Sequence, residues 1–345
     1  MNSTQALQTL QSLGLEPGSS AGSATTAHFT LRSEVIEHTR FTLAVREIAR
    51  VHERGRNARV AESLLIVAQT GSGKSTLLDY YVNRFPKVVE GGVTTVPVVR
   101  VDTPETPTVK GLAESVLEAL GDPAADKGSA ATKTRRIVYL FKQCRVELLL
   151  IDEFQHFFDG RRVAEALRVS NWLKLLITRL RIPVVLVGLP LSIQVVNINP
   201  QLRRRFAAPH YMEPFNYTTA EEQLEFRGVL KRIQDDLPVG SDDLAEASMA
   251  RRFYYASHGL IDYVVKIIDD AVSRGGTGPL GKITMEDYAR AFERVVWFNA
   301  PRSLNPFADK PTLRLLNRPL EPFDIWDDIS NYTQAKRKPG SGRRH

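Results

Sequence analysis

The sequence predicts an α/β domain built on a parallel sheet, followed by a small all-helical domain. Three observations carry that prediction. Between Ser63 and Pro214, short and continuously apolar runs alternate with helical periodicity; strands of that kind suit a parallel sheet covered on both faces. A Gly-rich stretch ending in Lys-Ser joins the first apolar run to a helical one. After Pro214 only helical patterns follow.

Taken in order, residues 1–28 are rich in Ser, Thr, Gly and Ala, and read as an N-terminal arm with one short helix around Gln5–Leu13. Glu34–Arg54 has helical periodicity and stops near Gly55. Strands are expected at Leu64–Ala68, Val96–Asp102, Glu147–Asp152 and Pro183–Gly188, with a weaker one at His210–Pro214. Helices are expected at Lys74–Phe85, Val109–Leu120, Thr132–Cys144, Val163–Leu180 and Ser192–Ile198. The helical domain begins near Phe215 with Thr218–Asp235, Asp242–Ser257, Ile261–Ser273 and Thr284–Phe298. Thr218 and Thr219 suit helix N-caps, and Thr284 precedes Glu286 and Asp287 in a first turn. The last segment holds Pro301, Pro306, Pro311, Pro319, Pro322 and Pro339, and its aromatics Phe307, Phe323, Trp326 and Tyr332 are expected to dock its first part. The expected units are therefore 1–28, 29–215, 216–298 and 299–345.

Composition narrows the class. The chain has 345 residues, 43% hydrophobic and 25% charged, as in ordinary soluble proteins. Its longest apolar run, Ile182–Leu191, is about half of a bilayer span, which argues against a membrane protein. The start lacks the basic and apolar stretches of a secretory signal. The single cysteine, Cys144, excludes an intramolecular disulfide and a Cys-based zinc site. A cytoplasmic location is expected. The net charge of +7 is concentrated: Thr333–His345 carries five basic residues and no acid, leaving +2 for the rest. Lys127–Val146 is a second acid-free stretch, with Lys127, Lys133, Arg135, Arg136, Lys142 and Arg145. Such clusters can follow a phosphate backbone, or they can be solvated helix faces.

The strongest local signal is Ala68-Gln69-Thr70-Gly71-Ser72-Gly73-Lys74-Ser75, continued by Thr76, between an expected strand and helix. A phosphate-binding loop needs small residues so that backbone N–H groups can wrap a β-phosphate. It also needs a lysine for the β/γ oxygens and a hydroxyl for Mg²⁺, all at the positive end of a helix. Thr70, Gly71, Ser72, Gly73, Lys74, Ser75 and Thr76 supply these parts, with Ala68 in place of the usual first glycine. The run Leu148-Leu149-Leu150-Ile151-Asp152-Glu153 then delivers two carboxylates at a strand's C-terminal end, the edge at which open α/β sheets bind ligands. Asp152 and Ser75 are expected to hold Mg²⁺, and Glu153 to polarise the water attacking the γ-phosphate of ATP. A full strand between the two motifs argues for the ATPase class rather than kinase- or GTPase-type loops. Arg203-Arg204-Arg205 before Phe206 cannot all point inward. Arg205, with Arg204 next, is expected to act on a neighbouring subunit's nucleotide; a solvated or DNA-facing turn is the alternative.

At these residues the chain resembles AAA+ ATPases, specifically the TniB/TnsC family of transposition regulators. The resemblance runs from about His28 to Phe323 through Ala68–Ser75, Val146–Glu153, Pro183–Gly188, Arg205-Phe206, His258-Gly259-Leu260-Ile261 and Asn305-Pro306-Phe307. It implies an α/β fold with a five-stranded parallel sheet in the order 5-1-4-3-2 plus a helical lid. It also implies ATP-dependent assembly of the protein with itself, as rings or helical filaments, on double-stranded DNA. Implied partners are a TniQ/TnsD-type target selector and a TniA/TnsB-type DDE transposase, whose encounter promotes hydrolysis and disassembly. By the family pattern Lys110 and Ser129, with Thr108 and Lys127 beside them, would contact backbone phosphates.

Two positions depart from that pattern. Leu189 stands where a polar residue often follows Val-Gly, and Asp262-Tyr263 stand where many lids aim an arginine at the nucleotide. Slow intrinsic hydrolysis, or an ATP-bound adaptor with negligible hydrolysis, would fit; a helicase-loader or initiator relative shares the same ATPase body. Gln155 and His156 could touch the attacking water or simply start a helix. His156 and His210 lack metal-ligand partners at useful spacing.

Overall fold

The structure is a computed structural model, and it describes residues 30–31, 35–57, 61–104, 107–158, 163–275 and 281–324. Gln5–Leu13, Trp326, Tyr332 and the basic tail lie outside them. In chain order the first elements are α1 (Thr39–Asn57), β1 (Leu64–Ala68), α2 (Lys74–Asn83), β2 (Val88–Glu90), β3 (Val93–Thr95) and β4 (Val98–Asp102). Next come α3 (Val109–Ala119), α4 (Ala130–Gln143), β5 (Leu148–Asp152), α5 (Val163–Leu180), β6 (Val184–Gly188), α6 (Ser192–Asn197), α7 (Pro200–Arg203) and β7 (His210–Met212). The helices α8 (Ala220–Asp235), α9 (Ala247–Ser257), α10 (Ile261–Arg274) and α11 (Met285–Val295) follow.

The main sheet runs β4-β5-β6-β1-β7, with every pair parallel. Counting only its own strands in chain order, that is the expected 5-1-4-3-2. The central strands β1, β5 and β6 are buried along their whole length, which is why they read as continuous apolar runs. Alternate residues serve opposite faces. Ile66, Leu150 and Val187 pack with Phe41, Ile48 and Leu77 of α1 and α2. Val67, Ile151 and Leu186 pack with Leu112, Ile137 and Leu176 of α3, α4 and α5. A third core joins α8 to α11 with Leu31, Phe215, and Phe307, Leu316 and Phe323 of the last segment.

Helix starts follow local capping chemistry. Thr219 and Thr284 each close a capping box, with Glu222 and Asp287 respectively. Asn199 caps α7, whose first residue is Pro200. The hairpin of β2 and β3 is an addition to the expected elements; Gly91 and Gly92 form its two-residue turn with φ of +57° and +78°, a geometry that side chains disfavour. Helix α1 begins at Thr39 rather than Glu34; residues 35–38 before it are not helical. Among the described residues, no helix is long and apolar enough to cross a membrane.

Candidate nucleotide-binding site

The loop from Gln69 to Gly73 leaves the buried end of β1 and enters α2. Gly71 and Gly73 have φ of +79° and +83°, left-handed conformations that let successive N–H groups face one concavity. The same concavity receives the unpaired N–H groups and positive dipole end of α2. Lys74, only 6% exposed, donates from Nζ to the Gln69 carbonyl at 3.1 Å. Burial pulls its pKa below the ordinary lysine value, against the opposing pull of Glu153 and Asp152.

Asp152 is 1% exposed at the end of β5. Its Oδ2 accepts from Ser75 Oγ at 3.3 Å, and its Oδ1 accepts from the Glu153 N–H at 2.8 Å. Burial pushes the Asp152 carboxyl above its ordinary range, although the Glu153 N–H, Arg100 and Lys74 oppose this. Ser72 Oγ is buried without a hydrogen-bond partner among the described residues. Two left-handed glycines before a helix N-terminus, a buried ammonium and an orphaned hydroxyl fit a polyphosphate, and the Ser75–Asp152 oxygen pair fits a hard divalent cation. A cavity of about 350 Å³ opens beside the loop. Leu31, Ile36, His38 and Phe41 line one wall, and Ile261 and Val265 of α10 the other, giving an apolar slot for a base.

Glu153 adopts φ +53°, a left-handed conformation uncommon for a side-chain-bearing residue. Its carboxylate accepts from Gln155 Nε2 and lies 3.5 Å from His156 Nε2. On the lid side, the Asp262 N–H donates to the Gly71 carbonyl at 3.1 Å, and the Asp262 carboxylate is paired with Lys266 at 2.6 Å. The position expected to carry an arginine thus presents an acid neutralised by its own helix.

Arg100 is a site residue that sequence reasoning missed. It projects from β4 between Asp79 and Asp102, and its Nη2 stands 3.5 Å from the Asp152 oxygen that Ser75 also reaches. An arginine inside Val98-Val99-Arg100-Val101 is the one signal that could have flagged it. The apolar slot had no chemical signature in the sequence.

The three arginines of the run occupy three environments. Arg203 donates to Asn197 Oδ1 at 3.1 Å, and half-buried Arg205 donates to Thr178 Oγ1 at 2.9 Å. The Arg204 side chain is exposed and makes no hydrogen bond or ion pair among the described residues. Away from the phosphate-loop cavity, Thr108 Oγ1 caps α3 by accepting from the Gly111 N–H at 3.0 Å, and Ser129 Oγ caps α4 by accepting from the Thr132 N–H at 3.3 Å. Lys110 and Lys127 are exposed beside these caps. The acid-free stretch is less open than its composition suggests. Lys133 is fully buried against Glu114 at 3.0 Å, and Arg136 pairs with Asp122 and donates to the Ala124 carbonyl.

A family model described as bacterial TniB protein matches residues 27–217, more than half of the chain. The chain belongs to the TniB family. No curated protein sequence matches this TniB-family chain. Among solved structures it is similar to Cdc6p from Pyrobaculum aerophilum, with a TM-score of 0.55 at 15% identity over 78% of this chain and 70% of that one. It is similar to the Aeropyrum pernix ORC1 protein solved in complex with DNA, with a TM-score of 0.54 at 16% identity over 74% of this chain and 65% of that one. The Aeropyrum pernix ORC2 protein, solved as ADPNP–ADP complexes, gives 0.53 at 15% identity over 72% and 66%. The TniB-family chain thus spans just under two thirds of the two Aeropyrum structures. At these identities the likeness establishes the fold, that of AAA+ ATPases.

Proposed function

We propose that this TniB-family protein is an ATPase that regulates DNA transposition: ATP and Mg²⁺ bind at the loop, the protein assembles on double-stranded DNA, and hydrolysis releases it. The observation that carries the reading is the convergence of Lys74, Ser75, Asp152 and Glu153 at one edge of the sheet, beside an apolar slot. Loop N–H groups and Lys74 bind and orient the phosphates, and Glu153 polarises the attacking water. Ser75 and Asp152 would hold Mg²⁺, which supplies charge neutralisation at the phosphate oxygens. The assembly joins a TniQ/TnsD-type selector to a TniA/TnsB-type transposase, a role suggested by family membership.

DNA contact is proposed for Thr108, Lys110, Lys127 and Ser129. The exposure of the two lysines beside two capped helix starts supports it, as does the DNA complex of the similar ORC1 protein. The test is assembly on duplex DNA with and without ATP, followed by electron microscopy and binding isotherms. Particles should form only with ATP, and Lys110→Ala should lower the slope of log Kd against log salt by about one. Equal DNA assembly without nucleotide would refute the switch.

Arg204 suits action across a subunit interface better than Arg205, which Thr178 already holds. Arg204→Ala should leave ATP affinity unchanged and lower hydrolysis by the assembly about 10³-fold. Mixing it with Glu153→Gln subunits, which still bind ATP and assemble, should restore phosphate release, because each supplies what the other lacks. Failure of that mixture to recover activity counts against Arg204. A second reading, an ATP-bound adaptor with negligible hydrolysis, is favoured by Leu189 and by the Asp262–Lys266 pair. Zero phosphate release with both DNA and transposase present would select it.

A further inference from the structure

We propose that Gln155 is a positioning residue that latches the Glu153 carboxylate to the end of strand β6. The proposal rests on the reading of Glu153 as the hydrolytic carboxylate. It assigns to one buried amide the task of aiming that carboxylate.

Gln155 lies in the 3₁₀ turn Phe154–Phe157 that follows β5, and it is 8% exposed. A buried primary amide needs partners at both ends. Its Oε1 accepts from the Leu189 N–H at 3.0 Å, and its Nε2 donates to Glu153 Oε2. A backbone N–H can only donate and a carboxylate can only accept, so the two partners determine which end of the amide faces which. His156 also approaches Glu153, but at 3.5 Å and from a half-exposed position.

The packing around the amide is made for it. A Cβ at position 188 would stand 2.4 Å from Gln155 Oε1 and 2.3 Å from Ser192 Oγ. Only glycine at the end of β6 leaves room for the side chain to cross. Leu189 has no polar group to offer the nucleotide site, yet its backbone N–H is engaged through Gln155. The end of β6 therefore communicates with the reacting carboxylate by a side chain from the β5 turn. Glu153, held in a left-handed backbone conformation, has this amide as its close side-chain contact. Removing the amide frees the carboxylate to rotate without touching the phosphate-binding loop.

Two substitutions separate a latch from a merely structural side chain. Gln155→Met keeps length and volume and removes both hydrogen bonds. Gln155→Glu can still accept from Leu189 N–H, but it faces Glu153 with a second carboxylate. In both, kcat for ATP hydrolysis by the DNA-bound assembly should fall about ten- to a hundred-fold, the scale expected when a reacting group is misplaced by about an ångström. KM, and the Kd of a fluorescent ATP analogue, should stay within about two-fold of the unsubstituted protein. Particles on DNA should outlive those of the unsubstituted protein after excess ATP is removed.

Wild-type kcat in Gln155→Glu overturns the latch, as does a loss of ATP affinity matching the loss of kcat. If Gln155→Met melts early, Gln155→Glu still decides, because it preserves the Leu189 hydrogen bond. Glu153→Gln tells the two ideas apart. Wild-type hydrolysis in Glu153→Gln means that the underlying reading has failed. Slow hydrolysis in Glu153→Gln with normal rates in both Gln155 variants means that only the latch has failed.

Discussion

Lys74→Ala is expected to abolish ATP binding and, with it, ATP-dependent assembly on DNA. Each hydrogen bond from an ammonium to a phosphate oxygen is worth about 1.5–3 kcal/mol, so an alanine that reaches neither phosphate weakens Kd by roughly a hundred-fold or more. The fold should survive. Lys74 is buried with the Gln69 carbonyl as its one hydrogen-bond acceptor among the described residues, and burial already disfavours its charge. Alanine therefore removes a costly group along with a modest hydrogen bond. The signature is a melting temperature close to that of the unsubstituted protein without nucleotide, and no rise when ATP is added. The unsubstituted protein should gain about 2.7 kcal/mol of apparent stability at an ATP concentration 100 times Kd. An ATP-dependent rise retained in Lys74→Ala would remove this lysine from the binding machinery.

The parts of the site that chemistry requires to be contiguous were legible in the sequence. A phosphate loop must place its glycines, lysine and hydroxyl within one turn, so Gly71–Ser75 stands out. The acidic pair must end an apolar strand, so Asp152-Glu153 stands out as well. The central strands were legible because each is buried on both faces and reads as an uninterrupted apolar run, whereas their order came from the family resemblance. What stayed hidden depends on contacts between distant segments. Arg100 reaches Asp152 across neighbouring strands, and the wall of the cavity at Leu31, Ile36 and His38 comes from a segment preceding α1. Neither has a spacing rule. Lys133 looks like a solvated base in an acid-free run, yet its partner Glu114 lies on the preceding helix. The sequence pattern put Arg205 first among the three arginines; the neighbours Asn197 and Thr178, which hold Arg203 and Arg205 and leave Arg204 exposed, are visible only in the fold.

Glu153→Gln should arrest the protein after ATP binding. Glutamine has nearly the volume of glutamate and can still hydrogen-bond to Gln155, so the substitution removes the charge while leaving the position little changed. Without a carboxylate to polarise water, hydrolysis should fall by about 10²–10⁴-fold. Lys74, Ser75 and the loop N–H groups are untouched, so ATP affinity should persist. On DNA the consequence is opposite in sign to that of Lys74→Ala: one variant should never assemble, and the other should assemble and fail to leave. Dissociation after ATP is withdrawn gives the measurement. Rapid release of Glu153→Gln from DNA would show that disassembly does not wait for chemistry at this carboxylate. Comparison with Gln155→Met then separates two contributions that Glu153 combines, since that variant keeps the charge and loses the aim. If hydrolysis needs both, each variant alone prolongs residence on DNA, and Glu153→Gln prolongs it more.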